Sequence, residues 1–311
     1  MEDTTFHERL LLFFRERIPL FPLAIQSLFI SIGLGLSWSL LESSSLLILK
    51  TPLIVIFLGS FSLSLLLRVI DEIKDKETDK ILFPERCLPR GAVFYSDVKA
   101  LGWFSVLFFM ILNLFLGKVY IPLFLLLLYF FLFTKWFFLP EKWRGNLVIV
   151  LLTHNPLGFF VALYFISFIS YEVGKGILTF NHYLLCLGFW LPTLAWEVSR
   201  KIKAPEEEND YKTYSKKFGI VPALLLSMTA LGLQFFIFVS LFGDVFKETA
   251  WFILMAFLYS FYLLLGGIFW FRPSPQLSKW LRPGTEFYFF MVNVILFLFG
   301  GVILYNQGLL Y

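Results

Sequence analysis

Long apolar runs divided by short polar stretches dominate the chain. A membrane-spanning helix needs roughly 17–25 mostly apolar residues. Nine stretches meet that need: 18–41, 51–68, 98–116, 119–139, 147–169, 178–196, 219–242, 249–271 and 285–306. Between them, polar residues are dense in only two places, 68–97 and 197–218, which follow the second and the sixth run. The pattern predicts an all-α fold, a polytopic bundle of about nine transmembrane helices forming one integral-membrane domain over residues 1–311. The first run follows 17 polar-rich residues that include Arg9, Arg15 and Arg17. It is also longer than the apolar core of a cleavable signal peptide, so no such peptide is expected.

Composition agrees with this class. Hydrophobic residues make up 59% of the chain and charged ones 15%, against about 45–50% apolar in soluble domains. Charge adds an orientation. With the N-terminus inside, inner segments hold 22 of the 26 Lys and Arg residues, and outer segments hold only Lys50, Lys118, Lys175 and Lys247. Cytoplasmic segments carry the excess of Lys and Arg in membrane proteins. The expected topology is therefore N-terminus inside and C-terminus outside, in the cell (inner) membrane, with both polar stretches facing the cytoplasm. The net charge of +4 reflects this topology and gives no argument for nucleic acid. Cys87 and Cys186, and His7, His154 and His182, are too scattered in sequence to suggest a thiolate or imidazole metal centre.

The first polar stretch carries the most specific chemistry. It reads Asp71-Glu72-Ile73-Lys74-Asp75-Lys76-Glu77-Thr78-Asp79, followed by Pro84-Glu85-Arg86-Cys87-Leu88-Pro89-Arg90-Gly91. If it is helical, Asp71, Asp75 and Asp79 share one face at i, i+4 and i+8. Like charges so placed repel unless a cation covers them. Mg²⁺ takes oxygen ligands, keeps some water and is commonly shared between one or two carboxylates and substrate phosphates. The predicted metal ligands are Asp71, Glu72, Asp75 and Asp79, with Glu197 from the second stretch. Asp71, Asp75 and Asp79 are the expected catalytic carboxylates. Lys74, Arg86, Arg200 and Lys201 are the expected partners of diphosphate oxygens. The two stretches read as half-sites of one magnesium-diphosphate site.

These residues resemble the first signature of the UbiA superfamily of intramembrane prenyltransferases (4-hydroxybenzoate polyprenyltransferase-like). That signature is Asn-Asp-x-x-Asp-x-x-x-Asp with an Arg-Pro-x-x-x-Gly segment close behind. Here Asp71 stands for Asn, Glu72 for Asp, and Cys87 where Pro is usual. Thr213 and Gly219 are similar to the ends of a Thr-to-Gly segment that closes the family's second signature. Tyr129 and Thr134-Lys135 resemble a Tyr and Lys of the fourth span, which implies that Lys135 binds diphosphate. The second signature departs from the family: where Asp recurs at i, i+4 and i+8, this chain has Glu197, Lys201 and Pro205. The resemblance implies Mg²⁺-dependent transfer of a prenyl group from an isoprenyl diphosphate to an acceptor, aromatic or quinoid, within the lipid bilayer.

Plainer readings stand beside these. Lys74, Lys76 and Lys80 can neutralise the acidic run as a solvated helix extension. Glu197 and Lys201 can form a structural ion pair, and Glu206, Glu207 and Glu208 can simply be solvated. His154-Asn155-Pro156 interrupts the fifth run, either as polar residues facing a cavity or as a tolerated Pro kink. At the level of the whole chain, the alternatives are a cation-coupled transporter and a catalytically altered family member that binds lipid diphosphate. Carboxylates placed at the inner rim, away from the bilayer midplane where transport sites lie, favour the enzyme.

Overall fold

The computed structural model describes residues 4–45, 50–116, 119–139, 146–208, 213–246 and 249–309. Among them all regular structure is helical. The helices are α1 (Phe6–Glu16), α2 (Leu20–Glu42), α3 (Lys50–Lys74), α4 (Lys76–Leu82), α5 (Tyr95–Leu116), α6 (Tyr120–Thr134), α7 (Leu147–His154), α8 (Leu157–Glu172), α9 (Phe180–Ser199), α10 (Tyr214–Phe218), α11 (Ile220–Phe246), α12 (Thr249–Phe271) and α13 (Pro275–Asn306). Seven segments are long and apolar enough to cross a membrane: α2, α3, α5, α7 with α8, α11, α12 and α13. The chain is thus a polytopic helical membrane protein. The shorter apolar helix α6 and the helix α9 occupy the two other expected runs.

Boundaries differ from the hydropathy reading where local chemistry intervenes. The run 119–139 is helical only to Thr134, because Trp136, Phe137 and Phe138 adopt left-handed backbone angles (φ 53°, 50° and 62°). The fifth run breaks at Asn155 and Pro156, since Pro lacks the amide that a continuing helix needs. The last helix begins ten residues earlier than 285, at Pro275. Ser274 caps it by accepting from the Leu277 amide, and Pro suits a first helical position.

The residues group into two compact units, Met1–Ile32 with Thr51–Lys118, and Gly33–Lys50 with Val119–Tyr311. In the first unit, α1 is an amphipathic helix started by a capping box between Thr5 and Glu8. Its Phe13 enters a core with Ile18, Leu65, Val69, Cys87, Leu88 and Val98. This core lies under the segment that follows the acidic run, so apolar burial fixes that segment as well as its charges do. In the second unit, α9 packs along α11. Gly188 permits the approach, since any side chain there would collide with Phe238. Trp38 donates to the Ser170 hydroxyl at 2.9 Å and is fully buried.

Candidate functional site: two acidic helix ends

The acidic run is helical almost throughout. Asp75 sits at the join of α3 and α4, yet its amide bonds the Asp71 carbonyl at 2.9 Å and the Asp79 amide bonds the Asp75 carbonyl at 2.8 Å. The expected stacking of Asp71, Asp75 and Asp79 therefore holds. The stripe is not uniform, however. Asp71 and Asp75 are exposed, whereas Asp79 and the neighbouring Glu72 are buried.

Arginines hold the buried pair. Arg17, just past the end of α1, donates to Glu72 at 2.9 Å and lies 3.8 Å from Asp79. Arg86 donates to Asp79 at 2.8 Å and stacks on Phe83 at 3.7 Å. Two further pairs bind α1 to the same segment. Arg9 meets Asp97 at 2.7 Å, and Arg90 meets Glu16 through two hydrogen bonds. The Arg90 hydrogen bond holds the Glu16 carboxyl below the usual carboxylate range. Cys87, at the position where the family signature has Pro, is packed in the core, and burial pushes its thiol up to about 11. None of Arg17, Arg9, Glu16 or Asp97 stood out in the sequence, because each is defined by a partner 55 to 88 positions away. The available signal was the run of arginines on an amphipathic N-terminal helix.

The second acidic end is built locally. Glu197, in the last turn of α9, accepts from Arg200 at 2.6 Å and meets Lys201 at 2.9 Å. Lys201 is buried and lies 5.8 Å from the Tyr214 ring. The segment after it folds back, and the Tyr214 amide bonds the Lys201 carbonyl at 2.9 Å. Glu208 accepts from the Thr213 and Ser215 hydroxyls, both at 2.6 Å. Glu207 accepts from Ser278 and from the Ala204 amide. Burial alone would raise the Glu207 carboxyl, but these bonds hold it below the usual range. Glu207 and Glu208 are thus structural ties and not simply solvated. Gly219 closes the segment at φ 88°, a left-handed angle that favours glycine.

The structure places Lys135 at the C-cap of α6, exposed. Tyr129, one turn and a half earlier, donates to the Thr153 carbonyl at 2.9 Å. Lys74 ends α3. Among the predicted residues, then, Glu72, Asp79 and Arg86 come together in the first unit, and Glu197, Arg200 and Lys201 in the second.

The donor set can be tested against a hard divalent ion. Among the described residues no three His, Cys, Asp or Glu side chains converge. Asp71 and Asp75, one turn apart and exposed, fit an ion that keeps much of its water and shares its other positions with a phosphate. At Glu72, Asp79 and Glu197, guanidinium or ammonium groups already lie against the carboxylates, so a metal there has to displace them.

No family model matches the chain, and no curated protein matches it in sequence. A solved structure of digeranylgeranylglyceryl phosphate synthase in membranes does match, over 94% of this chain and 99% of that one, with a TM-score of 0.59 and 17% sequence identity. The chain therefore shares the fold of that membrane synthase.

Proposed function

We propose that this chain transfers a prenyl group from an isoprenyl diphosphate to an acceptor, of aromatic or quinoid type, within the membrane. The observation that carries the reading is the exposed pair Asp71 and Asp75 at the end of α3 and its join with α4, followed by Arg86, on a fold shared with a prenyltransferase. In this reading the chain is one membrane domain of nine spans, with its N-terminus inside, its C-terminus outside and its acidic segments at the cytoplasmic face of the cell membrane.

In the first unit Asp71 and Asp75 would hold Mg²⁺, with Glu72 and Asp79 as ligands where their cations give way; in the second unit Glu197 would be a ligand on the same condition. Bound Mg²⁺ supplies charge neutralisation on the departing diphosphate. The chain's own cations do related work. Arg86 and Lys74 in the first unit, and Lys135, Arg200 and Lys201 in the second, are suited to diphosphate oxygens. Arg17 has a different part. It neutralises the two buried carboxylates, so the exposed pair carries less repulsion from its neighbours. The apolar interior keeps water from the allylic cation that C–O cleavage leaves, and ring faces stabilise such a cation by about 0.5–2 kcal/mol each.

A second reading, a family member that binds lipid diphosphate without turnover, draws on Lys201, which stands where the family pattern has a carboxylate. Ligand-induced thermal stabilisation tests binding in either case. Mg²⁺ with geranylgeranyl diphosphate should raise the melting temperature of the purified protein, because a ligand that binds only the folded state stabilises it. No shift with farnesyl or geranylgeranyl diphosphate at any Mg²⁺ concentration overturns both readings.

A further inference from the structure

The last helix starts well before the apolar run that it carries. α13 begins at Pro275, and the run begins at 285. At 1.5 Å per residue the extra turns reach about 15 Å past the apolar stretch. One headgroup layer is only about 5–8 Å deep, so this extension is long enough to pass through it.

The extension has two faces. Ser278, Leu281 and Gly284 are buried, whereas Lys279, Trp280 and Arg282 are exposed. The end of α12, which packs on α13, presents residues of the same kind. Trp270 and Phe271 stack on each other at 5.8 Å, and Arg272 follows them; all three are exposed. A join of three residues, 272–274, brings the two helix ends into one corner of the second unit. Phe271 is 82% exposed and Trp280 62%. Tryptophan beside exposed cations fits the boundary between lipid and water, where an amphipathic ring is favoured.

Charge at this corner is unbalanced. Lys279 and Arg282 are neighbours at i and i+3, and like charges so placed repel. The carboxylates against them are shared with other donors. Glu286 accepts from Arg282 and from the Trp196 indole, both at 2.8 Å. Glu207, which feels Lys279, also accepts from Ser278 and lies 3.8 Å from Lys203. Lys203, Arg272, Lys279 and Arg282 thus outnumber Glu207 and Glu286, even with the exposed Glu206 included.

We infer that the corner between α12 and α13 is a docking surface for anionic phospholipid headgroups. Phosphate oxygens accept from Arg272, Lys279 and Arg282, while Trp270, Phe271 and Trp280 lie among the glycerol and upper acyl carbons. The negative potential of an anionic leaflet draws basic residues at its surface. This surface stands apart from the acidic helix ends and does not depend on prenyl transfer.

Native mass spectrometry of the purified chain in detergent tests the inference, with equimolar phosphatidylglycerol and phosphatidylcholine of the same acyl chains. Wild type should retain phosphatidylglycerol in preference. The preference should fall about fivefold for each cation removed, in Arg272→Gln, in Lys279→Gln and in the double variant. Both side chains are exposed, so the lipid-free variants should melt at the wild-type temperature, which shows that they are folded. Lys216→Gln/Lys217→Gln removes two exposed cations elsewhere in the same unit and should keep the preference. Inorganic phosphate should displace no more lipid than sodium chloride of equal ionic strength. Equal retention of the two lipids, an unchanged preference in the double variant, an equal loss in Lys216→Gln/Lys217→Gln, or specific displacement by inorganic phosphate overturns the inference.

Discussion

Both acidic helix ends hold carboxylates against cations, but over very different distances in sequence. At the first, Arg17 reaches Glu72 across 55 positions, and α1 is tied on through Arg9–Asp97 and Arg90–Glu16. At the second, Glu197 is held by Arg200 and Lys201, three and four residues on in its own chain segment. The first end thus needs tertiary structure to exist and leaves two carboxylates, Asp71 and Asp75, at the surface. The second is assembled by one helix end and presents more positive than negative charge. In the proposed function the first would be the place for a divalent ion, and the second a place where the chain's own cations meet an anion.

The largest effect expected from this contrast is on turnover. Asp75→Ala should lower prenyl transfer about 1,000-fold, or about 4 kcal/mol, because it removes half of the exposed pair. The unliganded protein should melt at an unchanged or slightly higher temperature, since Asp75 is exposed and one of several like charges. Full ligand-induced stabilisation in this variant would remove Asp75 from the site.

Next in size is Arg17→Ala. It strands the buried Glu72, while Asp79 keeps Arg86, at a cost of about 3 kcal/mol, the low end for a broken buried pair, because Arg17 is itself 22% exposed. Thermal melting in detergent measures this loss, and adding Glu72→Gln should recover part of it. An unchanged melting temperature would mean that the long-range pairs do not support the first end.

Lys201→Asp places at the second end the residue type that the UbiA signature carries there. If Lys201 meets a diphosphate oxygen, turnover should fall about tenfold, or about 1.4 kcal/mol, with partial recovery at high Mg²⁺. A rise in turnover would instead make this end a degraded metal site.

The smallest effects concern surface pairs. Arg200→Ala leaves Glu197 with Lys201 and should cost less than about 0.5 kcal/mol in melting experiments, as exposed helix pairs do. The Glu16 carboxyl is depressed by Arg90, so the pair's stabilisation is present above the unfolded carboxyl pKa and is lost as pH falls through the folded value. Glu16→Gln should flatten the acid side of the stability-against-pH curve slightly, and leave the neutral side alone.

The sequence made some of this visible and hid the rest for physical reasons. Helix positions were readable because lipid demands continuous apolar stretches. The break at Asn155-Pro156 was readable because Pro lacks an amide. The early start of α13 was obscured by Arg272, Lys279 and Arg282, which read as loop, although Ser274-Pro275 is a helix-start signal. The end of α6 at Thr134 was invisible, because Trp136, Phe137 and Phe138 are as apolar as the helix they leave. In the first acidic end, the i, i+4, i+8 spacing was local and therefore legible. The partners of Glu72 and Asp79 were not, because nothing in the spacing of α1 points to them. Glu207 and Glu208 were hidden in the same way, the first tied to Ser278 and the second to hydroxyls across a short fold-back.

The central claim is that the exposed carboxylates of the first end support prenyl transfer in the membrane. Mass spectrometry of lipid extracts tests it most directly, comparing membranes that hold the wild-type chain with membranes that hold Asp75→Ala, each supplied with prenyl diphosphate and Mg²⁺. The account predicts a product heavier by one prenyl unit with wild type, and its absence with Asp75→Ala. Equal amounts of that product from both, or none from wild type across donors and acceptors, would contradict it.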